Sequence, residues 1–508
     1  MRSRNVTVID VVSLGRGRKG LGRLVNANLA SLMPQAIAAW CEELGHRVRF
    51  VCYTQPEDLD GAFDDTDLLF VSAFTRAAQT AYAVSNMARR RGIVTALGGP
   101  HARCYPEDAA RYFDYVLGLT DKATLTDVLQ DCGPHRPLGR QLAARRQPSE
   151  LPGARQRWRF IEATIAKSPL FKTIPMLGSL GCPYSCAFCI DSTVPYQPLS
   201  YDGIAEDLRF LQTRLRRPRV AWLDPNFGVR FDDYLQTIER AAPGGRVRFI
   251  AESSLSLLSE PNLKRLAAAG FDGMLPGIES WYGLGNKSRT GAAVGIDKVR
   301  RVAEHINLVL RHIPYVQANF ILGLDDDEGD EPFELTKRFL DLAPGVYPAF
   351  SLLTAYGRAA PGNLDLQRAG RVLPFPFRFL DSQHAMNVRP RNYGWPEFYD
   401  HVVDLNRYAL SRPRVARRFI ANRGVGTRFV NVVRAVRSNR VDYQSRIRAM
   451  LEGDREVRAF FEGETRTLPA FYANRLRSGL GPLWEHLPRE AVMHDERAWL
   501  HAGTAEAA

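Results

Sequence analysis

The chain has 508 residues, of which 45% are hydrophobic and 24% are charged. At roughly 150 residues per domain this length predicts about three structural units, and the composition excludes a disordered or collagen-like chain. No apolar run reaches the roughly 18 residues of a membrane-spanning helix, and the first residues lack the apolar core of a signal peptide. We therefore expect a cytoplasmic protein with no membrane span.

Basic residues outnumber acidic residues by 68 to 55, which gives a formal net charge of +13. Such an excess is found in proteins that bind nucleic acid or anionic small molecules, and also in proteins with a solvated arginine-rich surface. Residues 401–450 hold 12 arginines and 2 aspartates, without a recognisable RNA-binding barrel. We expect a solvated helical surface there that helps to hold an anionic substrate, and we do not expect nucleic acid as a partner.

The first 132 residues alternate short apolar runs with amphipathic stretches. The runs show little polar alternation, as is typical of strands buried on both faces. Repeated strand–helix units predict a doubly wound parallel sheet, whose ligands bind at the carboxyl ends of the strands. The predicted strands are residues 6–12, 48–52, 68–72, 93–98 and 115–117. The predicted helices are residues 28–44, 75–91 and 122–131.

A glycine-rich stretch, Gly15-Arg-Gly-Arg-Lys-Gly20, follows the first predicted strand and matches the dinucleotide fingerprint G-x-G-x-x-G. We do not expect a nicotinamide site, because the next helix begins several residues later and no acidic residue ends the second strand. Residues 133 to about 157 are rich in proline, glycine, glutamine and arginine. This composition predicts a linker, which we place at residues 133–171.

A second alternating series over residues 172–390 predicts a partial (β/α)6 barrel with its chemistry at the carboxyl ends of the strands. The predicted strands are residues 174–180, 220–224, 247–253, 274–280, 316–322 and 348–354. The predicted helices are residues 201–215, 231–242, 262–269, 297–313 and 331–342. Strand patterns end near residue 387. Residues 391–508 are expected to form an arginine-rich helical cap over the barrel mouth.

Three of the seven cysteines lie close together in Gly181-Cys-Pro-Tyr-Ser-Cys-Ala-Phe-Cys189, after the first predicted barrel strand. In a reducing compartment such a group indicates metal ligation rather than disulfides. An iron–sulfur cluster held by only three cysteines leaves one iron open to a small molecule. The alternatives are a chance grouping and a zinc site, although structural zinc usually requires a second ligand pair that the sequence does not show.

This C-x3-C-x2-C motif, with an aromatic residue before its last cysteine, resembles that of the radical S-adenosylmethionine (SAM) enzymes. The resemblance implies that Cys182, Cys186 and Cys189 hold a 4Fe–4S cluster whose open iron binds SAM, with Phe188 near the adenine. In that family, one-electron reduction cleaves SAM to a 5′-deoxyadenosyl radical, which abstracts a hydrogen atom from the substrate. An electron donor such as flavodoxin or ferredoxin is then a required partner.

Polar residues and a glycine at later strand ends agree with this resemblance, since polar side chains at barrel strand tips contribute little to packing. Each could instead be a loop cap or a turn residue. The SAM contacts that the resemblance implies are Asp224, Asn226, Glu252, Glu279, Ser280, Asn319 and Gly323. The acidic stretch Asp325-Asp-Asp-Glu-Gly-Asp330 resembles a cation-binding loop, but we expect it to be the solvated start of the following helix.

The stretch Leu97-Gly-Gly-Pro-His-Ala102 resembles the cobalamin-binding domain that precedes the barrel in one radical SAM subgroup. The alternative is a strand-to-helix turn that requires positive φ. The cobalamin contacts implied by the resemblance are Ser72, Gly98, Gly99, Pro100 and His101. Two departures stand out: Tyr53-Thr-Gln-Pro-Glu57 lacks the family's D-x-H-x-x-G histidine below the cobalt, and Gly118-Leu-Thr-Asp121 replaces its acidic glycine-rich stretch.

The sequence thus predicts an α/β protein with a cobalamin-binding-like domain at residues 1–132, a linker, a radical SAM barrel and a helical C-terminal region. The resemblance implies cobalamin-dependent methylation of an unactivated centre in a small molecule, with no catalytic side chain assigned. One alternative is a radical rearrangement or cyclisation with a vestigial cobalamin domain. Another is a non-catalytic basic binding protein. RNA-modifying methylthiotransferases share the domain order, but their three additional N-terminal cysteines are not matched here.

Overall fold

The computed structural model describes residues 2–12, 31–132, 138–168 and 172–494, and it forms two units of α/β structure. The first unit comprises residues 1–221, 355–381 and 468–508, and the second comprises residues 222–354 and 382–467. The G-x-G-x-x-G stretch at residues 15–20 and the start of the helix predicted from residue 28 lie outside the described residues.

The first unit contains a six-stranded parallel sheet with the strand order β2-β1-β3-β4-β5-β6. Its strands are β1 (Asn5–Val11), β2 (Arg47–Tyr53), β3 (Leu68–Ser72), β4 (Val94–Gly98), β5 (Tyr115–Leu117) and β6 (Arg140–Leu142). The strand order reverses between β1 and β3, and open α/β sheets bind ligands at such a switch point, beyond the carboxyl ends of the strands. The doubly wound sheet predicted from the sequence is confirmed.

The sixth strand was not predicted, because it lies within the stretch expected to be a linker. β6 is only three residues long, and both Arg140 and Gln141 are exposed, so its sequence shows neither an apolar run nor alternation. Its pairing with β5 is a backbone interaction with a distant part of the chain. Side-chain patterning does not reveal such a strand.

The helices agree closely with the amphipathic stretches of the sequence. The helix formed by Lys122–Asp131, for example, begins after Asp121, whose carboxylate accepts a hydrogen bond from the backbone N–H of Thr124 at 2.8 Å, a typical N-cap. The first seven helices are α1 (Leu32–Glu43), α2 (Ala78–Arg90), α3 (Pro100–Cys104), α4 (Pro106–Ala109), α5 (Lys122–Asp131), α6 (Trp158–Ala166) and α7 (Tyr201–Arg214).

All six strands predicted for the barrel are present, although the first is divided into two short strands. The strands that follow β6 are β7 (Thr173–Met176), β8 (Ser179–Leu180), β9 (Gln197–Pro198), β10 (Arg219–Trp222), β11 (Arg248–Ser253), β12 (Phe271–Glu279), β13 (Tyr315–Leu322) and β14 (Tyr347–Leu352). In the second unit β11, β12, β13 and β14 pair in parallel and in chain order. The prediction of a second parallel β/α series is therefore confirmed.

The remaining helices include the α-helical C-terminal region that the sequence predicts. They are α8 (Phe231–Ala241), α9 (Glu260–Ala269), α10 (Gly285–Ser288), α11 (Gly295–His312), α12 (Glu331–Leu342), α13 (Asn363–Arg368), α14 (Trp395–Leu410), α15 (Arg412–Ala421), α16 (Val425–Val436), α17 (Arg440–Gly453), α18 (Arg455–Phe461) and α19 (Ala470–Leu480). None of the helices in the described part of the chain has both the length and the apolar character needed to cross a bilayer.

The arginine-rich helices α15 and α16 contact the amino-terminal ends of the last two strands. Arg418 Nε donates to the carbonyl oxygen of Val346, just before β14, at 2.9 Å. Arg434 Nη1 donates to Gln317 Oε1, near the start of β13, at 2.6 Å. The sequence predicts a cap over the carboxyl ends of the strands. These two helices instead lie at the opposite ends, because their inward-facing arginines bind groups that the strands present there.

Candidate functional site

The three clustered cysteines lie in a loop that begins directly after β8. All three are half-buried, whereas Cys41, Cys52, Cys104 and Cys132 are fully buried. The loop is closed by the backbone N–H of Cys182, which donates to the carbonyl oxygen of Val194 at 3.3 Å. Accessible thiols on one short loop are suited to binding a metal cluster, whereas the other four cysteines are packing residues.

The loop depends on a glycine at its first position. Gly181 has φ +69°, and a Cβ atom there would lie inside van der Waals contact of the carbonyl oxygens of Val194 and Pro195. A side chain at this position would therefore be unfavourable for two reasons: the backbone is left-handed, and the Cβ atom would clash with the Val194 and Pro195 carbonyl oxygens. The glycine before the first cysteine is thus explained by the geometry of the loop.

The three loop cysteines supply thiol ligands of the kind that hold iron–sulfur clusters. Among the described residues, no three His, Cys, Asp or Glu side chains converge on one metal-ion position. A cubane presents different iron atoms to its ligands, so its cysteines need not meet at one point. Burial raises the pKa of the Cys189 thiol to about 11, and the neighbouring Asp191 carboxylate and the Cys186 and Cys182 thiols act in the same direction. The positive charge of bound iron would favour the thiolates.

The chain segment that follows β14 braces the cysteine loop. The backbone N–H of Gly362 donates to the carbonyl oxygen of Ala187 at 2.8 Å, and Thr193 Oγ1 donates to the carbonyl oxygen of Ala359 at 3.3 Å. Both contacts lie within the first unit. The loop is therefore held from two sides, by its own hairpin and by a segment about 170 residues further along the chain.

Four of the five predicted cobalamin contacts lie at the turn that follows β4, and the fifth, Ser72, ends the neighbouring strand β3. Gly99 has φ +88°, and a Cβ atom there would lie 2.9 Å from the carbonyl oxygen of Ala73 and 3.1 Å from Ser72 Oγ. A Cβ atom on Gly98 would meet no atom within 4 Å. Gly99 therefore serves the strand-to-helix turn, while Gly98 presents open backbone at the tip of β4. Pro100 begins α3 and is half-buried.

His101 lies in the interior of the first unit. Its Nε2 lies 2.6 Å from the hydroxyl of Tyr82, which donates to the Asp108 carboxylate at 2.6 Å. The ring also packs edge-on against Phe377, with the ring centroids 4.7 Å apart. Burial lowers the pKa of His101 to about 3, so the imidazole is neutral. A cobalamin contact by His101 stays a prediction, and a buried neutral imidazole would act by supporting the β4 turn.

An ion pair joins the β4 turn to the cysteine loop. Arg103, in α3, lies with Nη2 2.7 Å from Asp191 Oδ1, and its Nη1 donates to the carbonyl oxygen of Ile190 at 3.2 Å. Asp191 follows the last cysteine by two residues, and its backbone N–H lies 3.5 Å from Cys189 Sγ. The turn predicted to contact cobalamin is thus connected directly to the loop predicted to hold the cluster. Nothing in the local sequence indicates this pairing.

We expect Arg103→Gln to loosen the cysteine loop without unfolding the protein. The pair is half-buried and contributes about 1 kcal/mol, equivalent to about a fivefold change in an equilibrium or a rate. Iron should therefore transfer to a chelator about fivefold faster from the anaerobic variant. Arg111→Gln is the matched control, because Arg111 pairs with Asp108 at 3.6 Å on an exposed side chain. Equal rates of iron loss in all three proteins would contradict this role.

Two of the predicted SAM contacts lie after β10, in the second unit. Asp224 is buried and accepts a hydrogen bond from the Tyr234 hydroxyl at 2.7 Å. Asn226 is also buried; its Oδ1 accepts from the backbone N–H of Ser254 at 2.8 Å, and its Nδ2 has no hydrogen-bond partner among the described residues. Glu252, near the end of β11, is exposed. Asn226 and Glu252 therefore offer polar atoms to a ligand, whereas Asp224 is bound to Tyr234.

Glu279 is the most strained of the predicted contacts. It ends β12 with φ +65°, a conformation that costs a non-glycine residue about 1–3 kcal/mol and is concentrated at functional sites. Its Oε1 lies 3.0 Å from Lys287 Nζ, and the two side chains are 12% and 21% exposed. The side chain folds back over Gly277, where a Cβ atom would collide with Glu279 Oε1. The fold thus fixes this carboxylate beside a lysine.

Ser280 is fixed by the loop that follows it. Its Oγ accepts a hydrogen bond from the backbone N–H of Tyr282 at 3.1 Å. The buried Lys298 donates from Nζ to the carbonyl oxygen of Ser280 at 2.6 Å and to that of Gly283. Burial lowers the pKa of Lys298 to about 8. The lysine therefore holds the loop through backbone carbonyls, a role the sequence did not reveal.

Asn319 and Gly323 lie on and just after β13. Asn319 accepts a hydrogen bond at Oδ1 from Gln317 Nε2 at 2.8 Å. Gly323 has φ +87°, a left-handed conformation that favours glycine, and a Cβ atom there would lie 2.6 Å from Met386 Cε. Its backbone N–H donates to Asp327 Oδ2 at 3.0 Å. Burial raises the pKa of Asp327 to about 7. Asp327 was expected to be solvated, and this is wrong because its carboxylate closes the turn after β13.

The predicted site residues therefore lie in two groups. The cysteines, Phe188 and the predicted cobalamin contacts belong to the first unit, and Phe188 is half-buried within the cysteine loop. The other predicted SAM contacts belong to the second unit, at or just beyond the carboxyl ends of its strands. Parallel β/α folds concentrate ligand-binding groups at these ends.

Comparisons with known proteins agree with this geometry. No family model matches the sequence. The chain is 24% identical over 372 residues to bacteriochlorophyllide d C-12(1)-methyltransferase of Chlorobaculum tepidum, covering 72% of this chain and 78% of that enzyme.

Solved structures of radical SAM enzymes share the fold. The radical SAM methyltransferase TsrM from Kitasatospora setae, with cobalamin and a 4Fe–4S cluster bound, superposes with a TM-score of 0.52 at 14% identity, covering 73% of this chain and 79% of that chain. The cobalamin-dependent SAM radical enzyme OxsB superposes with a TM-score of 0.56 at 12% identity, covering 99% and 84%. In fold the chain is therefore similar to cobalamin-dependent radical SAM enzymes, and in sequence it is similar to a bacteriochlorophyllide methyltransferase.

Proposed function

We propose that this protein is a radical SAM enzyme that methylates an unactivated centre of a small molecule, using cobalamin as the methyl carrier. One observation carries the proposal: the Arg103–Asp191 pair ties the tip of the N-terminal sheet to the three-cysteine loop. A methyl carrier and the source of the substrate radical must lie close together, because a radical on the substrate reacts before it diffuses.

The residues present fit the implied cofactors. Cys182, Cys186 and Cys189 would hold the 4Fe–4S cluster, and the open backbone at Gly98 would lie against the corrin or its nucleotide tail. When bound, the reduced cluster supplies the electron that cleaves SAM, and cobalamin supplies the methyl group. No D-x-H-x-x-G histidine follows β2, so we propose that cobalamin binds without a histidine below the cobalt.

The strand-end residues of the second unit would bind SAM. Glu279 offers a carboxylate to the amino group of SAM, and its pairing with Lys287 fixes its direction. Asn226 Nδ2 is buried and would donate a hydrogen bond to a ribose hydroxyl of SAM. The proposed SAM site also includes Asp224, Glu252, Ser280, Asn319 and Gly323, with Phe188 near the adenine. The proposed cobalamin site also includes Ser72, Gly99, Pro100 and His101.

The partners follow from this chemistry. A small-molecule substrate agrees with the named relative, which acts on bacteriochlorophyllide d. We propose further that the substrate is anionic, given the basic charge of the chain, and that a flavodoxin or ferredoxin supplies the electron. We propose that the enzyme acts in the cytoplasm, where such an electron carrier is available.

The test is cobalamin binding by the anaerobic protein. We expect stoichiometric retention of hydroxocobalamin after desalting, with a base-off visible spectrum. Gly98→Phe should fill the open space at the tip of β4 and weaken retention by about tenfold, equivalent to about 1.4 kcal/mol, with unchanged thermal unfolding. Gly453→Phe is the matched control, because a Cβ atom there also meets no atom within 4 Å.

Two outcomes would contradict parts of this proposal. A spectrum that shows histidine ligation of cobalt would contradict the proposed binding mode. No retention at all would exclude methyl transfer from cobalamin and favour the alternative, a radical rearrangement or cyclisation on a fold whose N-terminal sheet is a scaffold.

A further inference from the structure

Helices α15 and α16 expose an apolar patch, which we define as Phe419, Ile420, Val425, Phe429 and Val436. These side chains are 42%, 74%, 80%, 58% and 79% exposed, respectively. They are five of the nine large apolar side chains that are exposed in the described part of the chain. Single exposed apolar residues require no explanation, but a group on two consecutive helices marks an interaction site.

The two helices that carry the patch are adjacent. Val425, Phe429 and Val436 are spaced by four and seven residues, so they lie along one face of α16. Phe419 and Ile420 lie in the last turn of α15. The guanidinium carbon of Arg428, in α16, lies 5.2 Å from the ring centroid of Phe419, which brings the end of α15 beside α16.

The charged residues of the segment that carries the patch are all positive. Residues 411–440 contain nine arginines and neither lysine, aspartate nor glutamate. Arg412, Arg417, Arg423 and Arg437 are exposed. Arg417 lies 3.9 Å from Asp341, which is outside this segment. The two helices thus combine an apolar stripe with a rim of exposed cationic side chains.

Other arginines of the segment fix the helices to the second unit. Arg418 and Arg434 bind the start of the last two strands, as described above, and Arg440 Nη1 donates to the carbonyl oxygen of Phe350 at 3.2 Å. Asn422 Nδ2, in the connection between α15 and α16, donates to the carbonyl oxygen of Gly345 at 2.9 Å. The patch is therefore presented on an anchored scaffold, at the opposite ends of the strands from the proposed SAM contacts.

We infer that this patch docks the enzyme onto the surface of an anionic lipid bilayer. Amphipathic helices with an apolar face and an arginine-rich polar face bind at the membrane interface, where apolar side chains enter the acyl boundary and arginines meet anionic headgroups. A second copy of the chain would bring its own exposed arginines against those of the first, and like charges repel. A nucleic acid backbone would match the charge but would leave the valine and phenylalanine stripe without an apolar environment.

The test is co-flotation of the full-length protein with vesicles. We expect binding to vesicles of phosphatidylglycerol and phosphatidylcholine, weaker binding at high salt, and little binding to pure phosphatidylcholine. The double variant Phe429→Ser/Val436→Ser and the charge reversal Arg423→Glu/Arg437→Glu should each reduce binding by about tenfold or more. The control is Val294→Ser/Ile296→Ser, which alters two exposed apolar residues outside the patch, 52% and 38% exposed.

Circular dichroism and thermal unfolding establish that each variant is folded. Failure of the wild-type protein to float with anionic vesicles overturns the inference, as does equal flotation of the wild type and the two patch variants. A dimer in light scattering that the Phe429→Ser/Val436→Ser variant dissolves would assign the patch to a second copy instead. RNA binding that depends on the patch, without vesicle binding, would also overturn it. None of these outcomes depends on the proposed methyl transfer.

Discussion

Replacing Cys186 with alanine is expected to abolish both iron binding and the cleavage of SAM. Each cysteine of the C-x3-C-x2-C loop would ligate a different iron, so the loss of one leaves the cubane with too few protein ligands. The anaerobic wild-type protein should hold about four irons per chain. Once reduced, it should form 5′-deoxyadenosine from SAM. The alanine variants of Cys182 and Cys189 should behave as that of Cys186 does.

Cys132→Ala is the matched control for these variants. Cys132 is 3% exposed in the core of the first unit, and its Sγ lies 3.5 Å from the carbonyl oxygen of Leu129. Its replacement removes a small buried side chain and should cost about 1 kcal/mol of stability while leaving the iron content unchanged. If the Cys132 variant lost its iron, a fourth protein ligand would be present and the open-iron argument would fail.

Replacing Glu279 with glutamine is expected to weaken SAM binding by at least about tenfold, equivalent to about 1.4 kcal/mol. The charge of the carboxylate is lost, while the size of the side chain and the strained backbone are kept. Iron content should not change, because the Glu279 variant retains all three cysteines. Equilibrium dialysis with labelled SAM and a colorimetric iron assay measure the two quantities independently.

Glu260→Gln provides the control, since Glu260 forms an exposed pair with Lys264 at 3.0 Å within α9. A second variant, Lys287→Met, removes the partner of Glu279 without removing the carboxylate. It should weaken SAM binding less than Glu279→Gln does, because the Glu279 carboxylate is retained and only loses the lysine that holds it in place. Wild-type affinity in Glu279→Gln would show that this carboxylate does not bind SAM and would remove it from the proposed site.

The fold class could be predicted from the local pattern of apolar and polar residues, because most strands and helices form where that pattern places them. Strands buried on both faces appear in the sequence as apolar runs, so β3 and β5 begin and end where they were predicted. The barrel strands end within about two residues of their predicted ends, apart from the division of the first. The short strand β6 was missed, since its polar residues give no pattern and its position depends on pairing with β5.

Some features of the candidate site could likewise be predicted from the sequence, whereas others depend on contacts between distant residues. The spacing of Cys182, Cys186 and Cys189 on one loop is a local property, and the sequence alone was enough to predict a metal cluster. The interior position of His101 depends on Tyr82 and Phe377, which come from other parts of the chain. Asp327 lies in an acidic stretch that predicts solvation, yet it is buried because two backbone N–H groups bind its carboxylate.

The sequence by itself thus determined the alternation of strands and helices, the cysteine motif and the arginine-rich C-terminal helices, because each depends on residues that are close together in the sequence. Only the tertiary structure decided that Arg103 joins the β4 turn to the cysteine loop, that Glu279 pairs with Lys287 in a strained conformation, and that α15 and α16 lie at the amino-terminal ends of the strands. Contacts between distant or differently folded segments depend on which surfaces meet, and no local pattern of side chains specifies that.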